Sequence, residues 1–301
     1  MNKTVFSALN AYLAAKPENT QKSVSIATGI SPAVISNYLK EKYPGDVEAL
    51  ETKIAQFLNL SLQREEAETS RIEIGFIETS VVKQVDELLN NCHVECRVGI
   101  LTGASGLGKT TGVEHYLADH SDVIVIYGRP SITLKSLLQE LAEKVGVENR
   151  GSADNLFRRI ASKLKGSRRM IVIDEAEHLT ARVFDTARRF ADKEWAGIGV
   201  VFVGLPRLWH ILCSNHGDYE YVYNRSRWTN ELQALSDQDV KAFVAAGAPQ
   251  YSGLWKVFAE ESMRKSRVLI NLIEYSVEIA ELNGVPIDAA LIRAAAKKVR
   301  R

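Results

Sequence analysis

Four short apolar runs, separated by stretches with helical spacing, set the pattern of this 301-residue chain. Val98 to Leu101, Val123 to Tyr127, Met170 to Ile173 and Gly199 to Val203 are continuous and only four or five residues long, as buried parallel strands are. Residues 134–145 and 154–165 between them carry helical periodicity, and a short helix over 81–90 precedes the first strand. Strands alternating with helices predict a three-layer parallel α/β sheet. Beyond Asn230 the strand pattern stops. Residues 236–246, 253–263, 267–282 and 287–299 read as amphipathic helices that form a small lid.

A separate pattern precedes the sheet. From Thr20 to Lys40 apolar residues recur with helical spacing on both sides of Gly29, which predicts helix, tight turn, helix. Gly29 suits a left-handed corner, Ser31 can cap the second helix, and Pro32 fits its first position. Ile26, Ile30, Val34, Ile35 and Leu39 are the expected core of this unit, leaving Ser36, Asn37, Tyr38 and Lys40 to face a major groove. The charged, apolar-poor stretch from Gln63 to Arg71 reads as a linker. The expected division is thus 1–65, a helix-turn-helix DNA-binding domain; 66–75, a linker; 76–229, the α/β core; and 230–301, the helical lid.

Composition narrows the classes. The 38 basic and 37 acidic residues leave a net charge of +1, so any nucleic-acid surface is local. Residues 1–65 hold seven basic and six acidic side chains, too near balance for strong phosphate binding by that domain alone. Three cysteines give no disulfide framework and suit a reducing compartment. Cys92, His93 and Cys96 lack a second pair at zinc-ligand spacing. The chain shows no signal-peptide core and no apolar stretch of spanning length, so a soluble cytoplasmic protein with no membrane partner is expected.

The most constraining motif is Gly103-Ala104-Ser105-Gly106-Leu107-Gly108-Lys109-Thr110, which reads G-x-x-x-x-G-K-T, follows a strand and opens a helix. Its glycines let backbone N–H groups face phosphates; with Thr111 it forms the expected ATP cradle, Lys109 reaching the β/γ oxygens and Thr110 ligating Mg²⁺. Asp174 and Glu175 end the third apolar run. A buried strand delivers acids to the nucleotide edge of a sheet in this way, so Asp174 is expected in the Mg²⁺ shell and Glu175 beside the attacking water.

Arginines and lysines supply the remaining candidates. Arg225 and Arg227 just before the lid suit an arginine finger reaching a neighbouring subunit's γ-phosphate, with Arg225 preferred. Arg267, at the start of a lid helix, is placed to report nucleotide state. Arg150, Arg158 and Arg159, with Arg129, Thr133 and Lys135 after the second strand, would line a DNA channel if subunits repeat in a ring or spiral.

In this order of motifs the chain resembles the MuB family, AAA+ target-selection ATPases of Mu-like transposable phages. The likeness spans nearly the whole length, through Gly29 to Asp46, Phe76 to Val85, Gly103 to Thr110, and Ile171 to Leu179. The resemblance implies an AAA+ P-loop core and ATP-dependent, largely sequence-independent assembly on duplex DNA as helical filaments. It further implies capture of target DNA for a DDE transposase in a bacterial host cell. Carried onto this chain, Lys109, Thr110, Asp174 and Glu175 are the ATPase residues and Arg225 the finger. One departure stands out: where such ATPases place a polar sensor after the fourth strand, Leu205 and Pro206 follow Gly204, which predicts slow hydrolysis. Two competing classes keep the same core. A regulator reading an operator would discriminate strongly against random DNA, and a secretion-type ATPase acting on protein normally adds an envelope-binding part.

Overall fold

A computed structural model describes residues 2–69, 72–208 and 226–299. The chain forms two compact units, Met1–Ile72 and Glu73–Arg301.

The first unit is four helices: α1 (Lys3–Ala15), α2 (Gln21–Thr28), α3 (Pro32–Leu39) and α4 (Val47–Thr69). Thr20 and Ser23 form a capping box on α2, and Gly29 closes that helix at φ 70°. Ser31 caps α3 and Pro32 takes its first position, as the sequence predicts. Two side-chain assignments are corrected. Ile26 is 77% exposed, and Val24 takes its place in a core with Leu9, Ile35, Leu50 and Ile54. Tyr38 is buried instead of facing outward; its hydroxyl donates to Glu51 Oε1 at 2.8 Å. Burial, then that bond, pushes its pKa well up. The charged run after Leu62 does not end α4, which continues to Thr69. Gln, Arg, Glu and Ala are all strong helix formers, so low apolar content alone does not break a helix.

The second unit is built on a five-stranded, all-parallel sheet. Its strands are β1 (Val98–Thr102), β2 (Val123–Tyr127), β3 (Met170–Asp174), β4 (Gly199–Gly204) and β5 (Ser226–Glu231), in the order β2-β3-β4-β1-β5. Alternation divides the apolar residues between two faces. Ile100, Ile126, Ile171, Ile173, Val200 and Phe202 meet the buried sides of α7 (Leu134–Val145), α8 (Ala153–Leu164) and α9 (Ala181–Arg188). The other face receives α5 (Ser80–Glu95), with α6 (Lys109–Asp119) beside it. The approach there is close: a Cβ on Gly99 would overlap Cys92 Sγ, and one on Gly112 would lie 2.8 Å from Val85 Cβ. The expected short helix over 81–90 is therefore longer, and β5 is an addition to the four expected strands.

The lid comprises α10 (Asp237–Gly247), α11 (Trp255–Glu261), α12 (Ser266–Asn283) and α13 (Ala289–Val299). One buried carboxylate fastens it to the core. Asp239 accepts from Ser80 N and Oγ at 2.8 and 2.5 Å, and from Ser236 N and Oγ at 2.8 and 2.7 Å. Burial works to raise its pKa, but these four bonds outweigh it and hold the carboxyl below the usual aspartate value.

Candidate nucleotide site

β4 lies between β1 and β3, so the P-loop and the Asp174-Glu175 pair emerge from strands that are not neighbours. A cavity of about 270 Å³ opens across their C-terminal ends. Of the expected cradle, Ser105, Gly106, Gly108, Lys109, Thr110 and Thr111 line it. The other three support it: the Gly103 and Ala104 carbonyls accept from Lys109 Nζ at 2.7 and 3.0 Å, and Leu107 is buried. Gly106 and Gly108 adopt φ of 78° and 101°, which glycine adopts without strain. Burial lowers the Lys109 pKa, opposed by the charges of Asp174 and Glu177.

Asp174 is 2% exposed and uses both carboxylate oxygens. Oδ2 accepts from Thr110 Oγ1 at 2.7 Å, and Oδ1 from Glu175 N at 2.8 Å. Glu175 has a positive φ of 53° and an exposed side chain that lines the cavity. Such a backbone is uncommon outside glycine. Gly128 makes room for it: the Gly128 N–H donates to the Asp174 carbonyl at 2.7 Å, and a Cβ on Gly128 would overlap the Glu175 carbonyl.

The lid completes one wall. Arg267 lines the cavity, while its backbone N–H donates to Gly106 O at 3.1 Å and Ser266 Oγ donates to Leu107 O at 2.9 Å. A second, more apolar cavity of about 270 Å³ adjoins the P-loop at Gly108 and Thr111, lined by Ile74, Phe76, Ile77, Val82, Phe243 and Ile270.

Four residues that line the phosphate cavity escape sequence reasoning: Glu177, His178, Gly204 and Arg207. Nothing in their spacing marks them, because they meet only when β3 and β4 lie side by side. The end of β4 is therefore not devoid of polar groups. Leu205 lines the cavity, but its N–H donates to Glu177 Oε2 at 3.1 Å and Arg207 stands beyond it.

The other sequence candidates are dispersed. Arg225 lies outside the described residues. Arg227 pairs with Glu95 at 3.1 Å. Arg129 pairs with Glu140 at 3.2 Å, and Thr133 caps α7 by accepting from Ser136 N. Arg158 bonds Asp154 at 2.8 Å and lies 5.5 Å from the Trp195 ring centre, whereas Arg159 donates to the Arg150 carbonyl at 2.7 Å. Lys135 and Arg150 are exposed. In the first unit Asn37 and Lys40 are exposed and Ser36 half-buried, all on or just after α3.

Comparison with known proteins places this geometry. A family model described as an AAA domain matches residues 92–212, from the end of α5 through β4. The Mu-like prophage FluMu DNA transposition protein B of Haemophilus influenzae is 27% identical over 234 residues, covering 75% of this chain and 79% of that protein. The ATP-dependent target DNA activator B of Escherichia phage Mu is 26% identical over 272 residues, covering 89% and 85%. This chain is a homologue of the MuB transposition proteins. Its core is an AAA P-loop ATPase core. Among solved structures, the Aeropyrum pernix ORC2 protein in its ADPNP-ADP complexes shares the fold, with a TM-score of 0.55, 16% identity, 72% of this chain and 66% of that one covered. The MuB homologue and that structure share the fold alone at such identity. Among the described residues, no helix is long and apolar enough to cross a membrane.

Proposed function

We propose that this MuB homologue is an ATP-switched assembly on duplex DNA that captures target DNA in a bacterial host cell and delivers it to a DDE transposase. The observation that carries the reading is the Thr110–Asp174 hydrogen bond at the mouth of a P-loop, in a chain whose relatives are named target DNA activators. A hydroxyl and a carboxylate oxygen side by side are hard donors of the kind Mg²⁺ takes, so the residues fit that ion. When bound there, Mg²⁺ would neutralise charge on the β- and γ-phosphates.

The chain's own groups then divide the work. Backbone N–H groups of residues 105–110 and the N-terminus of α6 hold the phosphates, Lys109 turns from its carbonyl acceptors to phosphate oxygens, and the base enters the apolar pocket beside Phe76 and Phe243. Glu175 orients a water whose oxygen attacks the γ-phosphorus. The bond to the β,γ-bridging oxygen breaks, its electron pair leaves with ADP, and the water's proton passes through Glu175 to solvent. Arg225 of an adjacent subunit is the finger that ties this step to assembly as a ring or helical filament.

DNA contact is assigned to Ser36, Asn37 and Lys40 in the first unit, with Arg129, Thr133, Lys135, Arg150, Arg158 and Arg159 in the second. Each gives only a weak phosphate or groove contact, so tight binding requires repetition along a polymer. Electron microscopy with long random-sequence DNA tests the proposal. Filaments with ATP and none with ADP are expected; an unassembled protein with a non-hydrolysable analogue and DNA would refute it.

A further inference from the structure

Two residues beside the phosphate cavity belong neither to the P-loop nor to the acid pair. Glu177 lies in the 3₁₀ turn after β3, with a side chain only 5% exposed. Its Oε2 accepts the Leu205 N–H, and its Oε1 faces Arg207 Nη2 at 3.9 Å. Gly204 keeps this space open, because a Cβ there would sit 2.5 Å from Glu177 Oε2. Arg207 is 54% exposed and lines the same cavity as Lys109 and Glu175. At 3.9 Å the pair is beyond hydrogen-bond range, and a half-exposed pair of this kind adds little stability. The carboxylate orients the guanidinium toward the cavity without locking it.

We propose that Arg207 is a γ-phosphate ligand supplied by the same subunit, positioned by Glu177 at the point along β4 where Leu205 offers no polar side chain. This rests on the ATPase reading of the site. The guanidinium fork matches phosphate oxygens, and it exchanges Glu177 Oε1 for them when a triphosphate arrives. Glu177 Oε2 stays on the Leu205 N–H throughout. ADP offers no γ-phosphate, so Arg207 separates triphosphate from diphosphate. Lys109 and the backbone cradle, which also meet the β-phosphate, cannot make that distinction alone.

Binding of fluorescent ADP and of a fluorescent, slowly hydrolysed ATP analogue to the full chain tests this. Arg207→Ala is expected to weaken the analogue about tenfold and leave ADP within about twofold, with Arg207→Lys intermediate. Glu177→Gln keeps an acceptor for the Leu205 N–H but removes the orienting charge; its effect on analogue affinity should be non-additive with Arg207→Ala by at least about threefold. In mixed assemblies, Arg207→Ala subunits should gain no hydrolysis from Glu175→Gln subunits, since the arginine is needed in the subunit that holds the nucleotide. An unchanged analogue-to-ADP ratio in Arg207→Ala, additive effects, or recovery in the mixture would each overturn the assignment. Failure of the unsubstituted chain to bind either nucleotide would instead sink the ATPase reading beneath it.

Discussion

Thr110 Oγ1 donates to Asp174 Oδ2 at 2.7 Å, joining the first turn of α6 to the last residue of β3 across 64 positions of sequence. Thr110→Val keeps the shape and removes the donor, leaving one oxygen of a buried carboxylate without that partner. The expected cost is about 1–3 kcal/mol in unfolding free energy, read by denaturant titration. Chelating divalent cations should lower ATP affinity in the unsubstituted chain and change it little in Thr110→Val.

Lys109→Ala should abolish ATP-dependent DNA binding, measured by filter retention or light scattering. Glu175→Gln should behave oppositely: assembly persists and hydrolysis falls by roughly 10²-fold or more. Normal turnover in Glu175→Gln would remove that residue from its role.

Gly128 offers a subtler handle on the same carboxylate. Gly128→Ala forces its new methyl group against the Glu175 carbonyl, whose backbone already holds a positive φ. A shift of this kind is expected to slow hydrolysis by roughly 10–100-fold while ATP affinity stays within a few-fold, a split between kcat and binding seen in single-turnover assays.

Asp239 makes lid attachment sensitive to acid. Its pKa is depressed in the folded chain, so its stabilisation is fully present above the unfolded aspartate value of about 4 and is lost as pH falls through the lower folded value. Asp239→Asn should therefore lower the Tm at neutral pH and flatten the Tm-versus-pH curve below about pH 4. A parallel curve in both proteins would contradict the linkage.

Cysteine reactivity gives a check on packing. Burial, with some help from Glu95, pushes the Cys92 thiol up to about 12, whereas Cys96 is half-buried. Alkylation of the native chain at pH 8 followed by peptide mass analysis should label Cys96 and spare Cys92.

The legible and illegible parts of this molecule differ for physical reasons. The P-loop, Asp174 and Glu175 were readable because each sits where a continuous apolar strand ends, and such strands announce themselves. β5 was not readable: Ser226-Arg-Trp-Thr-Asn-Glu231 is polar, alternates in exposure, and becomes a strand only by pairing with β1 at the sheet edge. Ile26 and Tyr38 face opposite to what their spacing suggests because an eight-residue helix offers two turns, too few for periodicity to fix which side is inward. Glu177 and Arg207 lie 30 residues apart and carry no motif, so only the side-by-side placement of β3 and β4 reveals them.

The bonds from Ser266 and Arg267 to Leu107 and Gly106 anchor one end of α12 directly to the phosphate-binding backbone. That helix has 18 residues and so reaches about 27 Å from its anchor. A tilt of a few degrees at the pivot becomes a displacement of an ångström or more near Leu282, whose side chain is 78% exposed. A lever of that length gives any change at the phosphate-binding backbone its largest displacement at the exposed far end of the helix.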